Sequence, residues 1–378
     1  MQRIGLLILI VFGVISCKEV TESVVNSAEQ IPLSKIKYAT GFDIQPIENG
    51  SMITINNAWP SSDETFNYAV IKKGTSISHP ENYDAIIESP IKSIVVTSTT
   101  HIPSLDMLGV SNTLIGFPNL EYISSEIIRE RIEDGYIKDL GKNETINTEV
   151  LIELNPDLVI GFAVEGANST MSTIKKTGIP VLYNADWTEN SPLGKAEWIK
   201  FFGLLYNKQK EADSIFSMIE ENYLKAKEVA QRTEHAPTVI SGALYKDVWY
   251  MPYGNSWAGE FIKDAHGMYI WGESNGIGSL ALNIETVLDQ GQNADIWIGP
   301  GQYTSMEQLK EAHPIYTRFN AFSSDQVYSF TNRTGTTGGT LYYELGPNRP
   351  DIVLKDLIKI LHPGLMPEHE LFFFGKLE

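Results

Sequence analysis

Apolar and polar positions alternate in short runs near the start of the chain. Met52-Ile53-Thr54-Ile55 follows the turn residues Glu48-Asn49-Gly50, and Tyr68-Ala69-Val70-Ile71 closes at Lys73-Gly74. The period of two predicts a β-hairpin or meander within residues 35–75, in an extension spanning 35–90. The pattern then changes. Ser93-Ile94-Val95-Val96-Thr97-Ser98 reads as a buried strand, followed by a polar loop and a helical stretch ending at Gly109. Ile137-Lys138-Asp139-Leu140-Gly141 leads to another helix, then to the strands Asp157-Leu158-Val159-Ile160-Gly161 and Gly178-Ile179-Pro180-Val181-Leu182-Tyr183. Strands alternating with helices predict a parallel α/β lobe, here 91–194. Ligands of such lobes sit beyond the carboxyl ends of the strands.

The same grammar restarts at Pro237-Thr238-Val239-Ile240-Ser241-Gly242 and continues to residue 378. Asp295-Ile296-Trp297-Ile298-Gly299 echoes Asp157–Gly161. Before each lies a matching helix start, Asn147-Thr148-Glu149 and Asn283-Ile284-Glu285. Two similar parallel-sheet α/β lobes are expected, at 91–194 and 235–378. The linker between them, 195–234, is helical: Lys208 to Arg232 contains no Gly or Pro, and Ala212, Ile215, Phe216, Ile219 and Tyr223 fall at helical spacing. As one helix it would span roughly 38 Å, long enough to join two lobes and limit their opening.

The amino terminus is different. Arg3 precedes an apolar run from Ile4 to Ile15 that would span only about 20 Å as a helix, against a hydrocarbon core of about 30 Å. Residues 1–16 read as a signal peptide. The run ends in Val14-Ile15-Ser16-Cys17, which resembles a lipobox of bacterial lipoproteins, so Cys17 is the expected lipidation site. Residues 17–34 form a polar tether, and a membrane-anchored, extracytoplasmic location follows.

Composition narrows the chemistry. The 378 residues carry 29 Lys+Arg against 47 Asp+Glu, a net charge of −18, which disfavours nucleic acid as a partner. Cys17 is the single cysteine, so there is no intrachain disulfide and no cysteine-held metal or cluster. No P-loop, dinucleotide fingerprint, Gly-x-Ser-x-Gly elbow or His-Glu-x-x-His occurs. No catalytic residue, cofactor or resident metal is assigned, and a monomer is expected. Of seven scattered histidines, only His101 falls in a strand-to-helix loop, where it could touch a ligand.

Aromatic residues crowd the expected loops: Phe117 and Phe162 in the first lobe, and Tyr245, Trp249, Tyr253, Trp257, Trp271 and Tyr303 in the second, with Arg333 in a Gly- and Thr-rich loop near Tyr342 and Tyr343. Such a set suits a flat, bulky ligand, and an arginine would fix an anionic group. Glu149 and Glu285 occupy first turns of helices, where a carboxylate complements the helix dipole. One per lobe could also meet basic sockets on a two-fold partner.

These segments resemble the class III substrate-binding proteins of ABC importers, the family for ferric siderophores, haem and cobalamin. The resemblance covers about 90–362 and rests on Val95–Ser98, Asp139-Leu140-Gly141, Asn147-Thr148-Glu149, Leu154-Asn155-Pro156-Asp157-Leu158-Val159-Ile160, Gly178-Ile179-Pro180-Val181 and Leu361-His362-Pro363. It implies two lobes joined by a helix, a ligand in the cleft, and docking of Glu149 and Glu285 onto arginines of a dimeric permease. Phe162 falls on the cleft aromatic after a first-lobe strand. The family's Ser-Pro-Ser-x-Thr-Glu loop is here Ser98-Thr99-Thr100-His101-Ile102-Pro103, and residues 35–75 have no counterpart in the simplest members. A ferric siderophore is the expected ligand. Cobalamin or haem is the alternative, with His101 or a tyrosine as an axial haem ligand. A zinc or manganese binding protein would need converging His and carboxylate ligands. An enzyme of chelatase-like or nitrogenase-like architecture is a third class.

Overall fold

The structure is a computed structural model that describes residues 34–60, 62–143, 145–162 and 169–378. The expected signal peptide, Cys17 and all but the last residue of the expected tether lie outside them.

Four strands come first: β1 (Phe42–Ile47), β2 (Gly50–Asn56), β3 (Thr65–Lys72) and β4 (Ala85–Ser89), side by side in that order. The first three are antiparallel and β4 runs parallel to β3. The turn between β1 and β2 places Asn49 at φ 60°, and a Cβ on Gly50 would meet the Val70 carbonyl at 2.1 Å, so a side chain is excluded there. The expected meander is thus a four-stranded sheet, and it is not free-standing. Phe66 and Trp59 pack on Tyr183 at centroid distances of 5.0 and 6.0 Å, and the Tyr68 hydroxyl accepts the Tyr183 N–H. Its apolar face continues the first lobe's core.

That lobe runs β5 (Ile94–Val96), α1 (Ile102–Met107), β6 (Leu114–Phe117), α2 (Glu126–Glu133), β7 (Lys138–Asp139), a small hairpin of β8 (Gly141–Lys142) and β9 (Thr145–Ile146), α3 (Thr148–Leu154), β10 (Leu158–Gly161), α4 (Ser169–Lys175) and β11 (Val181–Tyr183). Its parallel sheet has the order β11-β10-β5-β6-β7.

Two short helices, α5 (Pro192–Glu197) and α6 (Ile199–Leu205), lead into the long helix α7 (Gln209–Ala230), which occupies the stretch expected to be one helix. The 22 residues of α7 span about 33 Å. Its buried stripe serves both cores: Ala212, Phe216 and Ile219 join the first, Tyr223, Ala226 and Ala230 the second.

The second lobe follows as β12 (Thr238–Ser241), β13 (Ala243–Tyr245), β14 (Val248–Pro252), α8 (Trp257–Asp264), β15 (Met268–Tyr269), β16 (Ser279–Asn283), α9 (Ile284–Gly291), β17 (Ile296–Ile298), α10 (Met306–Ala312), α11 (Asn320–Ser323), β18 (Val327–Ser329), α12 (Leu341–Leu345), α13 (Pro350–Leu361) and β19 (Gly375–Lys376). The main sheet has the order β15-β12-β17-β18-β19, parallel except for β19, and β13, β14 and β16 form a separate antiparallel sheet.

The sequence echo between the lobes has a structural meaning. The Asp157 carboxylate accepts the N–H groups of Lys92 and Ser93, and the Ser93 hydroxyl accepts the Asp157 N–H. In the second lobe Asp295 accepts both the N–H and the hydroxyl of Thr238, and its own N–H returns to that hydroxyl oxygen. Each aspartate thus ties its strand to the start of the lobe's first strand. Asn147 and Asn283 cap α3 and α9 through the N–H groups of Val150 and Thr286.

Candidate functional site

In each sheet the strand order reverses once, between β5 and β10 in the first lobe and between β12 and β17 in the second. Crevices open beyond the carboxyl ends of such strand pairs. In the first lobe this places Ser98, Thr99 and Thr100 after β5 and Phe162 after β10. In the second it places Gly242 after β12 and the Gly299–Tyr303 loop after β17.

The two carboxyl edges face each other, because segments leaving them touch. Beyond β18, a small hairpin closed by a Thr334–Thr340 bridge leads into α12. From there Asn348 donates its amide to the Thr100 carbonyl at 2.8 Å and accepts the Ser104 hydroxyl at 2.9 Å. Glu344 accepts the N–H groups of Ser124 and Ser125, just before α2. The site is therefore a cleft between two strand-end edges, crossed on one side by residues 335–348.

The structure sorts the aromatic candidates into two groups. Tyr245 is 67% exposed at the β13–β14 turn, with its ring 6.4 Å from that of Tyr250. Arg333 is exposed at the root of the small hairpin, and Tyr343 and Tyr122 are also open to solvent. Tyr303 is half-buried, edge-on to Tyr316. Phe162 is half-buried beside residues 163–168, which lie outside the described set. Tyr253 is half-buried, its ring lying against Gly276. Trp257 is half-buried, stacked on Tyr342 at 5.3 Å, with the Lys195 ammonium 5.3 Å from its ring centroid.

Four candidates need correction. Trp249 has no accessible surface. It stacks on Trp297 at 5.4 Å, packs on Phe319 and gives its indole N–H to the Ser241 carbonyl. Trp271 is buried, with its N–H on Gln290. Phe117 is a core residue of the first lobe. Alternation along β14 turns Trp249 inward, while Phe117 ends a buried strand and Trp271 is held by a turn after β15, none of which a loop-by-loop count of aromatics registers. His101 is fully buried, packed on Phe202 at 5.7 Å, and burial pushes its pKa down, so it is a neutral core residue without access to a haem iron.

Glu149 and Glu285 are both exposed in the first turns of α3 and α9. Among the described residues, no three His, Cys, Asp or Glu side chains converge as a metal site, and no helix is long and apolar enough to cross a membrane. The residues that sequence reasoning missed are Glu344 and Asn348. A lone carboxylate and a lone amide carry no periodic signal, and only the packing of one lobe on the other gives them a role.

Residues 94–334 match the family described as periplasmic binding protein. The chain belongs to the periplasmic binding protein family. An uncharacterised lipoprotein of Methanocaldococcus jannaschii is 30% identical over 300 residues, covering 77% of this chain and 70% of the relative. A second uncharacterised lipoprotein of that organism is 25% identical over 380 residues, covering 96% of this binding protein and 92% of the relative. Among solved structures, a periplasmic haem-binding protein from Pseudomonas aeruginosa superimposes with a TM-score of 0.57 at 13% identity, over 76% of this chain and 98% of that one. A possible iron-binding, periplasmic solute-binding protein from Staphylococcus epidermidis gives 0.56 at 17%, over 72% and 100%. At these identities the likeness is one of fold: two parallel-sheet lobes with a linking helix, as in class III binding proteins.

Proposed function

We propose that this binding protein is held outside the cytoplasm by a lipid on Cys17 and delivers an iron complex, a ferric siderophore first, to an ABC importer. The reading is supported by the two strand-end edges that residues 335–348 join, together with exposed tyrosines and the exposed Arg333, whose guanidinium has no ion pair among the described residues. Tyrosine rings offer apolar area with a polar edge, and an arginine offers a fixed fork for the oxygens of an anionic chelate. The overall charge of −18 repels anions at long range, so a local cation is what would select one. Haem and cobalamin are the second reading. The haem-binding fold relatives favour it, but an axial ligand would have to be a rim tyrosine, since His101 is enclosed. Titrating the purified full chain with a ferric hydroxamate, haem, cobalamin and zinc, followed by absorbance and tryptophan fluorescence, separates the ligands. Saturation by the ferric chelate, weakened at least tenfold by Arg333→Ala, is the expected result; binding of none but zinc would overturn the proposal.

The anchor rests on the Val14-Ile15-Ser16-Cys17 tetrapeptide after an apolar run too short to span a bilayer, and on the lipoprotein relatives. Cys17→Ser is expected to move the protein from the membrane fraction to the soluble one and to remove the lipid mass. Unchanged fractionation and mass would contradict it. Glu149 and Glu285, one per lobe and both exposed, are proposed to dock on the two permease subunits.

A further inference from the structure

The segment from Gly335 to Asn348 belongs to the second lobe by sequence, and its backbone turns are closed within that lobe, yet several of its hydrogen bonds cross to the first. Thr337 gives its hydroxyl to the Glu121 carbonyl at 2.8 Å, and the Ser124 hydroxyl donates to the Gly339 carbonyl at 2.9 Å. A Cβ on Gly339 would lie 2.2 Å from the Tyr122 carbonyl oxygen, so the two backbones meet where no side chain fits. Glu344, only 3% exposed, takes the N–H of Ser125 at 2.9 Å on one oxygen and that of Ser124 on the other. These donors immediately precede α2, where unpaired N–H groups attract a carboxylate, so the first lobe's helix start receives an acceptor from the opposite lobe. Asn348, also buried, ties Thr100 and Ser104 in the same way.

We infer that residues 335–348 form a clasp that holds the two lobes at one angle and must open for bound solute to leave the cleft. The holding role stands on the hydrogen bonds; the release role rests on the solute-binding reading above.

The clasp is also built to respond to pH. Burial, reinforced by the nearby Asp106 carboxylate, pushes Glu344 up to about 7 from the ordinary 4.5. Asp106 is itself raised by burial while it accepts the hydroxyls of Ser111 and Ser125. The other charged groups on surrounding elements are turned elsewhere. Glu126 is exposed, Arg129 gives its guanidinium to the Leu120 carbonyl, His101 faces Phe202, and Arg349 pairs with Asp351. A carboxyl whose pKa is higher closed than open favours the closed form most fully below about 4.5, and that contribution is lost as pH rises through 7. The clasp therefore loosens toward alkaline pH.

The test uses the full chain carrying Cys17→Ser, with cysteines introduced at the exposed positions Glu133 and Glu311 and labelled with nitroxides, so that pulsed electron resonance reads the lobe-to-lobe distance without any ligand. In the otherwise native chain, the ratio of long to short distances is expected to rise roughly tenfold or more from pH 5.5 to pH 8. Glu344→Gln keeps an oxygen acceptor but cannot ionise, so its distances stay short at both pH values. Glu344→Ala with Asn348→Ala opens the lobes at both. One narrow distance in every variant, or a pH response that survives Glu344→Gln, would overturn the clasp. Should the double alanine variant fail to fold, the Glu344→Gln comparison alone decides. Because no ligand is present, failure of the ligand assignment and failure of the clasp are separate results.

Discussion

Replacing Trp249 with alanine is expected to destabilise the second lobe by about 3–5 kcal/mol, the range for removing a fully buried large aromatic. The indole has no accessible surface and is enclosed by Trp297, Tyr316 and Phe319 at centroid distances of 5.3–5.8 Å. Its N–H also satisfies the Ser241 carbonyl at the end of β12, so truncation leaves a buried acceptor without its donor. Tyr245→Ala is the contrasting change. That ring is 67% exposed, so stability should shift by no more than about 0.5 kcal/mol, while affinity for the ferric chelate falls. Thermal melting and a binding titration on both variants check the pair. If Trp249→Ala melts normally and binds poorly, the ring is a ligand contact and the assignment to the core is wrong.

The second large effect is on transport. Glu149→Ala combined with Glu285→Ala should leave ligand affinity and melting temperature nearly unchanged but reduce ligand-stimulated ATP hydrolysis by the reconstituted importer to its basal rate. Each carboxylate sits exposed in the first turn of a capped helix, and its local contribution to folding is at most about 1 kcal/mol. A charge pair desolvated at a docking interface is different: truncating one partner costs about 2 kcal/mol or more. That corresponds to roughly 30-fold in affinity per lobe. Single variants should be partly defective and the double variant far worse. Full stimulation by the double variant would reduce both glutamates to helix-end charges.

The two-lobe architecture was readable because its signals are local. Val95–Ser98 and Val239–Ser241 are short apolar runs, Asn147 and Asn283 are helix caps, and the Lys208–Arg232 periodicity marks α7 to within two residues at its carboxyl end. The fusion of the amino-terminal sheet with the first lobe was not readable. It depends on Phe66, Tyr68 and Trp59 meeting Tyr183, more than a hundred residues away. The candidate site was readable as a position, at the strand ends, but not as a list of side chains. Trp249 and Tyr245 lie four residues apart on one hairpin, and cross-strand packing puts one ring in the core and the other in solvent. His101 failed for the same reason, since its turn points it at Phe202 on α6. The clasp was invisible because Glu344 and Asn348 acquire partners some 220 and 248 residues earlier in the chain.

The proposed cargo of the cleft is an iron complex. Native mass spectrometry of the protein isolated from its own cells, with bound solute kept intact, tests it most directly. The expected result is a mass increment equal to an iron chelate or haem, lost on unfolding and carrying the isotope pattern of iron. An increment of a bare zinc or manganese ion, or of a metal-free metabolite, would contradict it.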